Sequence, residues 1–424
     1  MEEWKEYKLG DITDLVIDYR GKTPLKLGSD WSDSGYRALS AKNIKTGQIV
    51  AHDSIRYVDE VLYHKWMKDE VNRGDILITS EAPFGQVFYW DSDEKIVLSQ
   101  RLFCVRIKQE IDSRFVYYYM TTSRFQSEMS SRASGTTVLG LRQPELLKCR
   151  ISVPSLDTQR QIASILSSLD DKIAVNKKIC ENLEAQAQAL FKHWFIDFAP
   201  FKDGKFVESE LGLIPEELIY KRIEDMPHTL ETGKRPSGGV KGIDHGIPSI
   251  GAENIKGLGC YDFSKTKYVT EEFASSMKKG IINGYELLIY KDGGKPGYFI
   301  PNFAIFGEGY PYDKMCLNEH VFKLDFGNKG YSLFAYFYFK TKQIMSYLNA
   351  QGAKAAIPGI NSKDIDAIMM PSLDNECVKQ YCSEVEDIIT QILVLSKESA
   401  KLATLRDTLL PKLMSGQIKL NEYE

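Results

Sequence analysis

The chain states much of itself twice. Ala41-Lys42-Asn43-Ile44-Lys45 returns as Ala252-Glu253-Asn254-Ile255-Lys256, and Arg56-Tyr57-Val58 as Lys267-Tyr268-Val269, both 211 residues later. Gly21-Lys22-Thr23-Pro24 returns as Gly233-Lys234-Arg235-Pro236, and Val153-Pro154-Ser155-Leu156-Asp157 as Met370-Pro371-Ser372-Leu373-Asp374, at offsets of 212 and 217. A period this long is not that of a solenoid, which stacks many short units. It implies two domain-sized copies and a pseudo-twofold molecule, suited to a ligand that is itself twofold or bipartite. Duplex DNA is the commonest such ligand.

Each copy has a mixed part followed by a long helix. The mixed part holds short β-branched and aromatic runs, such as Asp75-Ile76-Leu77-Ile78-Thr79 and Arg101-Leu102-Phe103-Cys104-Val105-Arg106-Ile107, between Gly, Pro and Asp turns. A short aromatic helix is expected over 113–130, matched by 332–347. After Pro154, with Ser155 or Asp157 as N-cap, a helical pattern runs without Pro or Gly to Phe198. Its apolar positions alternate in steps of four and three: Ile162, Leu166, Leu169, Ile173, Asn176, Cys180, Leu183, Ala187, Leu190, Trp194. The second copy gives Val378, Tyr381, Val385, Ile388, Ile392, Leu395, Ser399, Leu402, Arg406, Leu409, Leu413, with Pro411 expected to kink or end the helix. These are heptad seams, the mark of a coiled coil. In an antiparallel pairing, Asn176 and Ser399 would share one polar layer that fixes register, although shifts by a heptad fit the pattern equally. The expected fold class is α+β: two mixed α/β domains separated by two long antiparallel coiled-coil helices, with a pseudo-twofold internal repeat.

Composition narrows the function classes. No run of 18 apolar residues exists, and the N-terminal segment is acidic without a signal-like apolar stretch. Seven cysteines, none spaced as CxxC, argue against a disulfide framework or a zinc site and for a cytoplasmic protein. The net charge of −4 is not that of a basic nucleic-acid binder, but residues 101–150 carry nine Lys/Arg against four Asp/Glu. Gly21-Lys22-Thr23 lacks the upstream glycine of a phosphate-binding loop, since that position is Val16. Gly293-Gly294-Lys295-Pro296-Gly297 loses an amide donor at Pro296, and the six histidines show no ligand spacing. No Asn/Asp-Pro-Pro-aromatic tetrapeptide of an amino-methyltransferase occurs. With no catalytic residue and no metal site to name, the chain reads as a recognition protein.

The first helix ends Ala187-Gln188-Ala189-Leu190-Phe191-Lys192-His193-Trp194-Phe195-Ile196-Asp197-Phe198, and the second Leu405-Arg406-Asp407-Thr408-Leu409-Leu410-Pro411-Lys412-Leu413-Met414-Ser415-Gly416. Both strings, and Glu210-Leu211-Gly212-Leu213-Ile214-Pro215 between the copies, resemble the specificity (S) subunits of type I restriction-modification enzymes. The resemblance covers the whole chain and departs at Leu218, which stands where the first copy has Trp4. It implies a first target recognition domain over 1–154, a first spacer helix over 155–199, a connector over 200–217, a second target recognition domain over 218–371, a second spacer helix over 372–416 and a tail over 417–424.

The same resemblance implies that each domain reads half of an asymmetric, bipartite site in double-stranded DNA. The helices would act as a spacer whose length sets the gap, and would dock two methyltransferase (M) subunits. Those partners, not this chain, would carry S-adenosylmethionine and methylate adenine N6, and a restriction (R) subunit could join. The DNA-facing loops are expected to be rich in Gly with Lys/Arg and small polar residues at strand ends. In the first domain the candidates are Arg20, Lys22, Thr23, Ser80, Gln86, Arg101, Thr136, Thr137, Arg142 and Gln143. In the second they are Lys234, Arg235, Lys241, Lys291, Lys295 and Lys354. Two other readings are a coiled-coil adaptor that binds protein and no DNA, and an enzyme whose site the sequence does not reveal.

Overall fold

The computed structural model describes residues 4–135, 138–293, 297–354 and 357–420. It divides into two compact units, Met1–Asp171 with Ala403–Glu424, and Lys172–Leu402.

The first unit is built on a four-stranded antiparallel sheet in the order Thr13–Asp18, Leu102–Ile107, Ile76–Thr79, Val87–Tyr89. Its central strand explains the unbroken apolar run read from the sequence: Leu102, Phe103, Cys104 and Val105 are all fully buried, because both faces of the sheet are covered. Alternate side chains enter different cores. Phe103, Val105, Ile76 and Ile78 pack with the helices, whereas Leu102, Cys104 and Leu77 pack with a second sheet, Arg56–Val58, Tyr36–Leu39, Ile96–Leu98. Lys5–Lys8 pairs with Arg150–Val153, so the first and last strands of the domain are neighbours.

The second unit repeats the plan. Its four strands run Thr229–Thr232, Val321–Asp325, Leu287–Tyr290, Phe303–Ala304, and Tyr220–Arg222 pairs with Met369–Pro371. Even tight turns recur. Gly35 (φ +119°) and Gly246 (φ +131°) each face a carbonyl, of Val58 and Val269, at a distance where a Cβ would sit 2.4 and 2.3 Å from the oxygen. Only glycine fits either turn.

Burial of charge is solved differently in the two sheets. In the first, Asp75 is 1% exposed and accepts from Asn72 N (2.8 Å), while Arg106 binds it bidentately at 2.9 Å through Nε and Nη2. In the second, Glu286 takes the corresponding place, accepting from Asn283 N and Gly284 N. The cation has moved along the strand to Lys323, 3.2 Å from Glu231 and 4.0 Å from Glu286.

The aromatic helices are each two helices, not the single one expected. Ser113–Thr121 and Ser123–Arg132 are broken at Thr122, whose side chain accepts from Phe125 N. Lys329–Phe339 and Lys342–Gly352 are broken at Lys340 and Thr341. The Thr122 hydroxyl restarts the first pair by capping the second helix, whereas the Thr341 hydroxyl donates back to Tyr338 O (2.7 Å), and neither break interrupts the apolar spacing.

The first long helix is Leu156–Phe195 and the second Glu376–Met414. Ser155 caps the first, its Oγ accepting from Thr158 N at 3.3 Å. Pro411 does not end the second, which continues to Met414. Pro411 gives up one bond, to the Asp407 carbonyl, while its fixed φ is helical, and its own carbonyl still accepts from Ser415 N (3.1 Å). Within the first unit, Ile162, Ala163 and Leu166 share a core with Leu413 and Met414. Within the second, the Tyr381 hydroxyl donates to Ala187 O (3.1 Å) and Cys180 Sγ to Ile392 O (3.6 Å). Partner numbers fall as the first helix advances, so the pair is antiparallel.

The buried stripe is wider than the strict seam. Leu169, Ile173, Leu183, Leu190, Ile388, Leu395, Leu402 and Leu409 are only partly buried, while Phe191, Phe195, Cys382, Ile389 and Leu393 beside the seam are nearly inaccessible. Each helix packs on its domain as well as on the other helix, which calls for the broad stripe of a globular helix. The expected polar layer exists: Asn176, fully buried, donates through Nδ2 to Ser399 Oγ (3.3 Å) and to Glu398 Oε2 (2.6 Å). A buried Asn fixes register at a cost in stability. Asn176→Leu is therefore expected to gain about 1 kcal/mol, a few degrees in calorimetric Tm. A lowered Tm would mean that the layer stabilises instead.

Among the described residues no helix is long and apolar enough to cross a membrane. The connector holds a hairpin, Phe206–Ser209 with Gly212–Pro215.

Candidate nucleic-acid interface

Strand register brings the predicted loops together. In the first unit Asp18 pairs with Phe103, Leu102 with Thr79, and Ile78 with Val87. The loops 19–23, 80–86 and 99–101 therefore leave one end of one sheet. The loop 134–143 is fastened onto the same end: Leu141 N donates to Ser80 O (3.0 Å), and Ser80 N donates to Arg101 O (2.9 Å). In the second unit Thr232 pairs with Phe322, Tyr290 with Val321, and Ile289 with Phe303. There Ile360 N donates to Lys291 O (2.8 Å) and Gly293 N to Pro358 O (2.9 Å), so the equivalent loop is held in the same way.

Both ends are basic in a chain of net charge −4. The first unit's loops 19–23, 80–86, 99–101 and 134–143 hold four Lys/Arg against one Glu. The second unit's loops 233–246, 291–302, 318–320 and 353–361 hold six against three Asp/Glu. Such local excess attracts a polyanion whatever the total charge.

The predicted residues differ in availability. Arg20 is bound bidentately by Asp18, donates to Leu141 O (3.4 Å) and lies 3.9 Å over the Phe103 ring. Lys22 donates to Trp66 O and lies 3.9 Å over Tyr19, and burial, with Lys68 nearby, lowers its pKa. Thr23 Oγ1 accepts from Lys26 N, Ser80 is buried, and Gln86 Oε1 accepts from Thr46 N at 2.9 Å. These five shape the loops. Arg142 is exposed at the start of the short helix Gln143–Leu146, with Gln143 half-buried beside it, and Lys234 and Lys241 are exposed. Lys354 is exposed and donates to Gln351 (2.7 Å). Thr136, Thr137 and Lys295 lie outside the described residues.

Sequence reasoning missed the acidic partners. Arg101, held at φ +64°, is paired with Glu81 at 2.9 Å. At the corresponding place, His320 Nδ1 meets Asp292, Arg235 Nε meets Glu319 Oε1 (2.9 Å), and Lys291 donates to Glu319 O (3.2 Å). Arg235 Nη2 lies 3.0 Å from His320 Nε2, and a guanidinium can only donate, so Nε2 accepts and Nδ1–H donates to Asp292. The signal was available: Glu81 and Asp292 are both acidic at the repeat offset of 211. A carboxylate that grips one edge of a guanidinium orients the remaining donors, as bidentate recognition of a base requires. Among the described residues no group of His, Cys, Asp and Glu is placed to hold a metal ion.

Two basic sheet ends, one in each half of a duplicated chain with an antiparallel helix pair, mark a recognition protein built as an internal repeat. Residues 1–185 match the family model of the type I restriction modification DNA specificity domain. The chain is 27% identical to the specificity subunit of the type I restriction enzyme MjaIX of Methanocaldococcus jannaschii, over 82% of this chain and 79% of that one. It is 24% identical to the HindI specificity subunit of Haemophilus influenzae, over 99% of this chain and all of the other. The crystal structure of the type I restriction-modification S subunit from M. genitalium shares the fold, with a TM-score of 0.55 at 16% identity over 97% of this chain and 96% of that one. Residues 1–185 thus match a type I restriction-modification DNA specificity domain, and over most of its length the chain is similar to specificity subunits of type I restriction-modification systems.

Proposed function

We propose that each sheet end reads one half of a bipartite, asymmetric site in duplex DNA, and that the long helices dock two methyltransferase subunits. Those subunits bind S-adenosylmethionine and methylate adenine N6 on a base taken out of the stack; this chain chooses the site and performs no catalysis. The observation that carries this reading is the convergence, in each unit separately, of four sequence-distant loops on one sheet end with an excess of cations. The paired Arg101 and Arg235 suit guanine, whereas exposed Lys234 and Lys241 suit phosphates.

The test is co-expression with a type I methyltransferase subunit from the same genome and detection of methylated bases across that genome. A split adenine motif that depends on this chain is expected, and the lack of any such motif would refute the proposal. In binding assays with that assembly, Lys234→Ala with Lys241→Ala is expected to lower the slope of log affinity against log salt by about two units. Arg142→Ala is expected to weaken binding to the motif, and unchanged affinity would remove Arg142 from the interface.

A further inference from the structure

The loop fastened across each sheet end carries an aliphatic side chain that the fold does not use. In the first unit Leu141 is 2% exposed and anchors the loop, while Val138, three residues earlier, is 52% exposed. In the second unit Ile360 is 3% exposed and anchors the loop, while Ile357, again three residues earlier, is 75% exposed. The anchors make the same backbone bond, to Ser80 O and to Lys291 O, so Val138 and Ile357 occupy equivalent places. The first loop is also tight: Gly135 has φ +115°, and a Cβ there would stand 2.2 Å from Val138 O. A β-branched side chain held in water on a fastened loop, in both copies, calls for a partner that covers it.

The surroundings say which partner. Each of these residues sits in a loop set where Lys/Arg outnumber Asp/Glu, four to one and six to three. An apolar protein partner would have to bury those charges, whereas duplex DNA pairs phosphates with the cations and offers apolar base surface between them. We infer that Val138 and Ile357 are the apolar base contacts of the two half-sites, pressing on base surface while the flanking cations hold the backbone. This rests on the DNA-reading function proposed above. It adds a kind of contact that the polar candidates do not supply, one that favours a particular base step through shape and methyl groups.

The experiment uses the full chain assembled with its methyltransferase, and a duplex selected from a random-sequence pool by the wild-type assembly. The photo-cross-linking residue p-benzoylphenylalanine is placed singly at 138, at 357, and at 394 on the second long helix, where Val394 is 60% exposed. Cross-links from 138 and 357 are expected at bases of different half-sites, with 394 near background. Val138→Ala and Ile357→Ala are each expected to weaken binding to the selected duplex about tenfold, the scale of one aliphatic side chain left uncovered. Both positions are exposed, so the variants keep their fold, and unchanged thermal midpoints verify this. If no duplex can be selected, the DNA-reading function itself fails. If a duplex is selected but 138 and 357 cross-link no more than 394, or the alanine variants bind like wild type, DNA reading stands and the apolar contact is refuted.

Discussion

Tyr381→Ala is expected to cost about 4 kcal/mol of stability, the largest single loss from the helical scaffold. Tyr381 is fully buried where the second long helix meets the domain, and its ring lies 5.5 Å from those of Phe191 and Phe195 and 5.9 Å from that of Phe334. Truncation leaves a cavity among rigid aromatic rings that have no freedom to collapse into it. Tyr381→Phe keeps the ring and loses only the bond to Ala187 O, so about 1 kcal/mol is expected. Urea unfolding of both variants checks the pair. Equal losses would place the energy in the hydrogen bond and not in the packing.

Lys323→Cys is expected to cost about 3–5 kcal/mol, because it strands Glu286 in the sheet without its cation. Glu286 is 4% exposed, and burial already raises its pKa despite the amides it accepts from. The first unit shows the remedy. Cys104 stands where Lys323 stands, and Arg106, two residues on, binds Asp75 instead. Val105 pairs with Ile76 and Leu324 with Leu287, which sets residue 325 opposite Glu286 as Arg106 is opposite Asp75. Lys323→Cys combined with Asp325→Arg is therefore expected to regain most of the loss, again by urea unfolding. A double variant no more stable than the single one would show that the two sheets are not interchangeable at this place.

The repeat and the helix pair were legible because both rest on periodicity, which a sequence displays directly. Asn176 and Ser399, 223 residues apart, stood out as polar breaks in two apolar seams, but their pairing over the heptad-shifted alternatives was decided only by the structure. The breaks at Thr122 and Thr341 were not legible, since apolar spacing runs on through them. Loop composition located segments that meet at one end of each sheet but could not separate tethered cations from available ones. That distinction depends on contacts that only the fold makes: Lys22 is held by the distant Trp66, and Arg20, paired with nearby Asp18, also reaches Leu141. The acidic members, Glu81, Asp292 and Glu319, were overlooked because a search for DNA contacts looks for positive charge, although the cations need them for orientation.

The pairing of Lys5–Lys8 with Arg150–Val153, and of Tyr220–Arg222 with Met369–Pro371, means that each domain begins and ends on adjacent strands. Everything that distinguishes one basic sheet end from the other is enclosed between those two crossings. A domain so bounded is a cassette: gene segments cut at the two strands can be exchanged for others that keep the aromatic residues packed against the helices, such as Phe334. New specificities can then arise by recombination in a single event, with no need to rebuild a binding surface residue by residue.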